Sequence, residues 1–334
     1  MEYLKKKSKF IVTIIVLVII ALIAPIFIAH QTYLMHILIL ILLFATLAQS
    51  WNLLSGFAGQ SSLGHAAFFG MGAYTVGLLI FYVDYFRASP WLGMILGGII
   101  GSLIGLAIGA ICFRVRGPYF ALATLALTEV IRLIVLNTEF TQGALGISIP
   151  RPASVSTPFF VINFSEKLPY YYLAFVLLFV SFFVVWHVSK SRYGLMLQSI
   201  REDEDAAATL GVNPFRLKLL AMFISGFIAG VTGALYAVYV SYIDPSMEPG
   251  GVLSLFTSIE PVLITVIGGA QTIIGPIIGA LVRIGIGEYL RVSFGFRAGM
   301  DLVVFGAIFI VIFFLARKGV WGLLKSKLSF LKAL

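Results

Sequence analysis

The chain has 334 residues, of which 60% are hydrophobic and only 11% charged, and its mean hydropathy is +1.05. A soluble domain carries roughly a quarter charged residues, so this composition excludes an ordinary soluble protein and predicts an all-α polytopic membrane protein. The net charge of +9 does not indicate nucleic-acid binding, because the Lys and Arg residues cluster beside apolar segments.

Apolar segments follow one another along the whole chain and predict about ten transmembrane helices. Their expected bounds are 10–29, 33–54, 61–83, 91–113, 118–137, 169–189, 217–241, 254–270, 275–291 and 299–316. The first resembles a signal peptide, but its apolar run is longer than the about 7–15 residues of a signal core, so we expect a retained span. The eighth and ninth contain Gly, Pro or charge, which predicts broken or re-entrant segments.

The distribution of Lys and Arg predicts the orientation of these spans. With a cytoplasmic N-terminus, sixteen basic residues fall inside and five outside, as the positive-inside rule requires. Both termini are then cytoplasmic, and residues 1–334 are expected to form a single transmembrane domain. Segment 138–168 is external, whereas segment 190–218 and the basic tail 317–334 are internal. Leucines at helical spacing in the tail predict a helix on the inner membrane surface, attracted by anionic lipid.

Two spans carry glycines at helical spacing. Residues i and i+4 share one helix face, so small residues there let another helix approach closely. We therefore predict that the fourth and seventh spans are the central packing elements, and we favour this structural role over ligand contact. The residues assigned to helix packing are Gly97, Gly101, Gly105, Gly226 and Gly230.

Two Gly-rich polar stretches, 56–74 and 258–276, interrupt the apolar sequence. Non-helical backbone is tolerated at membrane depth only where protein or a water-filled cavity satisfies it. Broken segments in comparable positions of two halves indicate a transport path. The residues that we assign to the translocation path are Gln60, Ser61, Ser62, His65, Thr124, Glu129, Ser258 and Glu260.

Charged residues within spans must pair or face a cavity, since each costs about 2.5–3.5 kcal/mol at the bilayer centre. Glu129 and Arg132 lie three residues apart and can pair on one helix face. For both residues, a structural ion pair and a role in the path are equally favoured. Glu260 has no obvious local partner, and for this residue a role in the path and a structural role are equally favoured. For His65, a neutral packed imidazole is favoured over a ligand or a proton relay.

Enzymatic chemistry has no support in the sequence. There is no metal-ligand spacing, no nucleophile elbow and no phosphate-binding loop. Since Cys112 is the single cysteine, an internal disulfide is excluded. We therefore expect a transport protein with neither a metal nor a cofactor in this chain. If ATP drives it, another chain must bind the nucleotide.

Segment 190–218 carries the start and stop signals of a short helix. Ser199 and Glu202 have capping-box spacing, and a Gly followed by a Pro marks the end. The pattern predicts one helix over residues 200–210. Its apolar ridge of Ala206, Ala207 and Leu210 suits insertion into a groove of a soluble partner, although an ordinary solvated helix is equally favoured by composition.

Part of this segment resembles a known docking loop. Asp205-Ala-Ala, three residues and then Gly211 resemble the Glu-Ala-Ala-x3-Gly loop of ABC importer permeases. Further stretches resemble, in order, the branched-chain amino-acid ABC transporter permease family (Liv type, M-like subunit). The matching stretches are residues 59–74, 117–126, 191–194, 201–207 and 268–280. The departures are Asp205 in place of Glu, and Ala270-Gln271 where such proteins tend to have another Gly.

The resemblance implies ABC importer permease architecture in a prokaryotic cytoplasmic (inner) membrane. It implies a second homologous permease subunit, two ABC ATPase subunits that bind ATP and magnesium, and an extracytoplasmic substrate-binding protein. The cargo would be a branched-chain or other hydrophobic amino acid. Urea, short amides or other amino acids are alternative cargoes, and an ion-coupled secondary transporter is a less favoured class. The residues assigned to ATPase coupling are Arg201, Glu202, Asp203, Asp205, Ala206, Ala207, Leu210 and Gly211.

Overall fold

The computed structural model describes residues 19–83, 85, 90–151, 155–156, 161–162, 164–294, 303–304, 306–307, 310 and 319–327. Within them, six helices are long and apolar enough to cross a membrane. These are α2 (Thr32–Trp51, continued by a π-helical turn, Asn52–Phe57), α3 (His65–Tyr82), α4 (Trp91–Cys112), α5 (Pro118–Leu136), α6 (Leu168–Lys190) and α9 (Pro214–Val240).

Shorter helices complete the described chain. They are α1 (Ile19–Ile28), α7 (Arg192–Glu202), α8 (Glu204–Thr209), α10 (Leu255–Gly268), α11 (Gly275–Ala280, with a π-helical turn at Leu281–Gly285), α12 (Ile286–Phe294) and α13 (Gly319–Lys327). Helices thus lie in nine of the ten predicted segments. The tenth, 299–316, lies largely outside the described residues, as does most of the N-terminal half of the first.

The predicted external segment is anchored to the chain after α9. It contains two 3-10 turns, Glu139–Thr141 and Gly143–Leu145, followed by β1 (Ile147–Ser148). Strand β1 pairs antiparallel with β4 (Tyr242–Ile243), and the short strands β2 (Val155–Ser156) and β3 (Val161–Ile162) pair with each other.

Helix α9 is the centre of the bundle and packs most extensively against α4 and α3. It begins where Asn213 Oδ1 accepts the Arg216 amide and Pro214 takes the first helical position, both favourable start signals. A methyl group added at Gly101 of α4 would lie 2.5 Å from the Gly226 carbonyl oxygen of α9. The predicted close approach of these two spans is therefore confirmed.

The two predicted interruptions are present but shorter than expected. The first turn, residues 58–64, connects the π-helical end of α2 to α3, and the second turn, residues 269–274, connects α10 to α11. Helix α13 of the basic tail begins beside the second turn, since a methyl group at Gly319 would lie 2.4 Å from Gly269 Cα. The described part of the tail therefore packs against protein as well as presenting exposed leucines.

The spacing between α4 and α9 gives a stability prediction. Gly101→Ala should destabilise the protein by about 1–3 kcal/mol, because the new methyl group meets rigid backbone. Gly105→Ala is the matched control, since its methyl group would lie 3.2 Å from the nearest atom, the Met222 carbonyl oxygen. Thermal unfolding in detergent measures both variants. Equal melting temperatures for the two would contradict the packing description.

Candidate functional site

The polar segment folds into two short helices, each with its own cap. Ser191 Oγ accepts the Gly194 amide at 3.4 Å at the start of α7. Asp203 Oδ1 accepts the amides of Asp205 and Ala206 at 3.0 and 2.9 Å at the start of α8. These bonds satisfy amide groups that have no partner within a helix.

The expectation of one helix over residues 200–210, capped by Ser199, is wrong. Asp203 has extended backbone (φ −157°, ψ 112°), which separates α7 from α8. Ser199 lies inside α7, where its hydroxyl donates to the Met196 carbonyl. Glu202, the first of the consecutive acids, ends α7, and Asp203, the second, caps α8. The predicted start of the helix was wrong because Ser199 and Asp203 are both suitable cap residues. Gly211, with φ +85°, follows α8 and fits the predicted stop.

Two ion pairs attach α8 to the bundle. Lys218 at the start of α9 is only 1% exposed, lies over the Phe113 ring, and donates to Glu204 Oε2 at 2.5 Å. Arg116, after α4, donates through both Nη atoms to the Asp205 carboxylate at 2.9 and 3.0 Å. A bidentate guanidinium–carboxylate pair fixes orientation as well as distance. Helix α8 is therefore connected to both of the central helices.

Of these two pairs, the one with Asp205 is solvent-exposed. Arg116 lowers the pKa of Asp205, first by hydrogen bonding and then by its charge. The attachment is therefore favoured above the ordinary pKa of Asp and is lost as the pH falls through the lowered pKa. Exposure also makes this pair sensitive to salt.

The predicted apolar ridge is only partly present. Ala207 is 2% exposed and packs toward the chain's own body, whereas Leu210 is 84% exposed. Ala206 is also exposed. Ala207 is therefore excluded from an exposed ridge, because α8 turns that face toward the bundle. The free face carries Ala206 and Leu210.

Serine and threonine side chains stabilise the first turn. Ser55 Oγ donates to the Gln60 carbonyl at 2.8 Å and accepts the Ser62 amide at 3.2 Å. Thr124 Oγ1 of α5 accepts the Leu63 amide at 3.1 Å. Ser62 and Thr124 are fully buried. Both residues were assigned to the path. In the structure Thr124 accepts a backbone amide of this turn, and Ser62 lies within the turn.

His65 starts α3 and is completely buried. The Ser225 hydroxyl donates to the Ser50 carbonyl at 2.8 Å and contacts His65 Nε2 at 2.9 Å. Because that hydroxyl has one hydrogen, already donated, His65 Nε2 is the donor in the second bond. The geometry is that of a packed, neutral imidazole. Beside it, Ser258 Oγ accepts the Ala66 amide at 3.1 Å.

Two buried amides of α2 and its π-helical extension hold the second turn. Asn52 donates to the Thr272 carbonyl at 2.9 Å and accepts the Gln271 amide at 3.0 Å. Gln49 donates to the Ile273 carbonyl at 2.8 Å. The sequence analysis missed both residues. The available signal was an amide pair in an otherwise apolar segment, where an unsatisfied amide is costly.

Four charged side chains within the predicted spans form two ion pairs. Arg132 binds Glu129 through two hydrogen bonds, at 2.6 and 2.8 Å, and also donates to the Pro245 carbonyl at 3.1 Å. Of the two alternatives left open by the sequence, the structural Glu129–Arg132 pair is therefore present, and a path role stays a prediction. Glu260 has no partner nearby in the sequence, as predicted, but tertiary contact supplies one, because Arg283 Nη2 lies 3.1 Å from Glu260 Oε2. These residues are 23 positions apart, on two segments that the second turn brings together.

A cavity of about 580 Å³ lies beside the predicted external segment. Arg151 and Lys167 both line it, and the pKa of Lys167 is lowered by burial and then by the charge of Arg151. His36 and Tyr239 also line it, with His36 Nδ1 and the Tyr239 hydroxyl 2.5 Å apart. The residues assigned to the path lie elsewhere. Among the described residues there is no group of three or more His, Cys, Asp or Glu side chains that could hold a metal.

Comparison with known proteins shows which family this chain resembles. A family model described as "Branched-chain amino acid transport system / permease component" matches residues 33–313. The high-affinity branched-chain amino acid transport system permease protein LivM of Escherichia coli K12 is 29% identical over 306 residues, 86% of this chain and 69% of that protein. LivM of Salmonella typhimurium is 31% identical over 270 residues, 75% of this chain and 62% of that protein.

A relative named for a different cargo also matches. The nucleoside ABC transporter permease protein NupC of Lactococcus lactis is 26% identical over 162 residues, 46% of this chain and 50% of that protein. No solved structure matches the chain.

The buried Lys218–Glu204 pair gives a local prediction. Lys218→Met leaves Glu204 without its buried cation, so α8 should open more often and its amide hydrogen exchange should rise about tenfold. Arg216→Met is the matched control, because Arg216 is an exposed cation in the first turn of α9, the helix that also carries Lys218. Exchange in residues 204–209, measured by mass spectrometry, tests the pair. Equal exchange in the two variants would contradict the attachment.

The Glu260–Arg283 pair gives a second prediction. Glu260→Gln and Arg283→Gln should each lower the melting temperature. The loss of stability in the double variant should be smaller than the sum of the two single losses. Residues in direct contact typically show a coupling free energy of about 0.5–3 kcal/mol. The double-mutant cycle measures this coupling in detergent. Strictly additive losses would show that the pair contributes no coupling.

Proposed function

Since the chain belongs to the branched-chain amino acid transport system permease family, we propose that it is the permease subunit of an ATP-driven ABC importer for branched-chain or other hydrophobic amino acids. The relatives are permeases, so the interpretation of this chain as a transport subunit, and not an enzyme, is confirmed. Its coverage of those relatives is 69% and 62% of their length. Cargo, energy source and partners are therefore proposed here.

The observation that carries the proposal is the attachment of α8. Leu210, which follows the last residue of the helix, is exposed, while Glu204 and Asp205 bind Lys218 and Arg116 of the body. An exposed apolar side chain on a short, fixed helix suits a groove on a soluble partner. We propose an ABC ATPase subunit as that partner. A second ATPase would dock on a second, homologous permease subunit.

The ion pairs suggest how a docked ATPase would act. Closure of two ATPase subunits on ATP would displace α8 as a rigid body. Because Lys218 begins α9 and Arg116 follows α4, that displacement would move the closely packed central helices. Rocking of packed helices switches access between the two sides of a membrane. ATP and magnesium would be bound by the ATPase chains.

The orientation follows from the same assignment. With α8 docked to a cytoplasmic ATPase, both termini and the basic tail lie on the cytoplasmic side of a prokaryotic inner membrane, in contact with anionic lipid. The segment 138–168 then faces outward, where an extracytoplasmic binding protein would deliver the amino acid. This placement agrees with the charge distribution.

Reconstitution tests the proposed function. Proteoliposomes that contain this chain, a second permease and two ATPase subunits should take up leucine, isoleucine or valine only with ATP and a binding protein. Uptake driven by an ion gradient without ATP would overturn the ATP-driven class. ATP-dependent uptake of nucleosides, with no amino-acid uptake, would overturn the cargo.

The docking face is tested in the same system. Leu210→Asp should remove ATPase association, and with it about nine-tenths or more of uptake, because a charge replaces the apolar contact. Leu145→Asp is the control, since Leu145 is 80% exposed in the segment predicted to be external. Association is measured by co-purification. Normal association of the Leu210 variant would exclude this face as the dock.

A further inference from the structure

We propose that Arg201 is a positioning residue that couples the cytoplasmic segment to the two buried turns. The inference rests on the proposed function and extends it, since the sequence assigned Arg201 to ATPase coupling without any contact inside this chain. The side chain instead points into its own chain. Its exposed fraction is 23%, against 72% for the neighbouring Glu202.

Arg201 contacts the backbone at the start of the first turn. Its Nη1 donates to the Gly56 carbonyl at 3.4 Å, while Glu202 binds the other side of the guanidinium. Gly59 makes room for the stem of the side chain. A methyl group at Gly59, whose φ is +71°, would lie 2.6 Å from Arg201 Cγ. The polar contact and the close packing therefore position Arg201 at the same turn.

The contact continues from the first turn to the second. Gly56 lies in the π-helical turn that also carries Asn52, and a methyl group at Gly56 would lie 3.1 Å from the Gln271 amide nitrogen. Asn52 binds that amide and the Thr272 carbonyl. A displacement of Arg201 is thus transmitted through one helical turn to the backbone of the second turn.

This connection is separate from the one that attaches α8. Lys218 and Arg116 join α8 to the central helices, whereas Arg201, at the end of α7, joins the same segment to the turns. Movement of the docked segment would therefore displace the central helices and the two turns together. The turns lie at the predicted cytoplasmic ends of their helices, where a change of backbone would open or close the inner side of the path.

Uptake per ATP hydrolysed is the measurement that isolates this role. Arg201→Ala should leave ATPase association intact and ATP hydrolysis nearly unchanged, but should lower the amount of amino acid taken up per ATP about tenfold. Arg201→Lys should recover part of the loss, because an ammonium group can still donate to the Gly56 carbonyl. Arg192→Ala, an exposed arginine at the other end of α7, is the control.

Two outcomes in that assay would overturn the proposal. Loss of ATPase association in Arg201→Ala would make Arg201 a docking residue, and an unchanged ratio of uptake to hydrolysis would remove it from coupling. If the wild-type complex shows no ATP-dependent uptake, the proposed function fails and the contact is tested in the permease alone. There, Arg201→Ala should raise hydrogen exchange at the Gln60 amide, which donates to the Leu54 carbonyl in the first turn. Unchanged exchange would overturn the contact's role in holding that turn.

Discussion

Asn52 holds together two interruptions of the membrane helices, because its side chain, beside the first, binds the backbone of the second. Backbone amides and carbonyls away from water must find partners inside the protein. The amide side chain of Asn52 supplies both kinds, since its nitrogen donates to one residue of the second turn and its oxygen accepts from the preceding one. A side chain with only one of these functions would leave a buried group unsatisfied.

Several other polar side chains in the interior act in a similar way. Ser55 and Thr124 accept backbone amides of the first turn, and Ser258 accepts an amide at the start of α3. His65 is bound to a serine that is itself bound to a carbonyl. Serine, threonine and amide side chains between helices are typical of membrane proteins, where small residues also allow close backbone approach. Polarity in these spans therefore stabilises the fold directly, and a path role for the same residues stays a prediction.

The sequence was sufficient for the features that depend on local composition or spacing. Hydropathy located the spans, and glycines at every fourth position identified the packing of α4 with α9. The Glu129–Arg132 pair followed from its three-residue spacing. Features that depend on tertiary contact were not accessible. Glu260 meets a cation 23 residues away only because the second turn reverses the chain.

Helix capping shows a different limit of sequence analysis. Ser199 and Asp203 are both good cap residues, and the sequence alone does not say which one ends a helix. Tertiary contact favours the second, because the observed start of α8 brings Glu204 and Asp205 to Lys218 and Arg116. The same contact turns Ala207 inward, which removed it from the predicted docking ridge. Local signals thus identified the segment but left its orientation open.

In the proposed function, segment 190–218 docks a partner and transfers force, and the buried amides hold the turns that receive that force. The contact on which these turns depend is the one between Asn52 and the second turn. Site-resolved hydrogen exchange of the Gln271 amide in Asn52→Leu measures its strength. Exchange should rise about tenfold or more while the central part of α9 stays protected. Unchanged protection of that amide would contradict it.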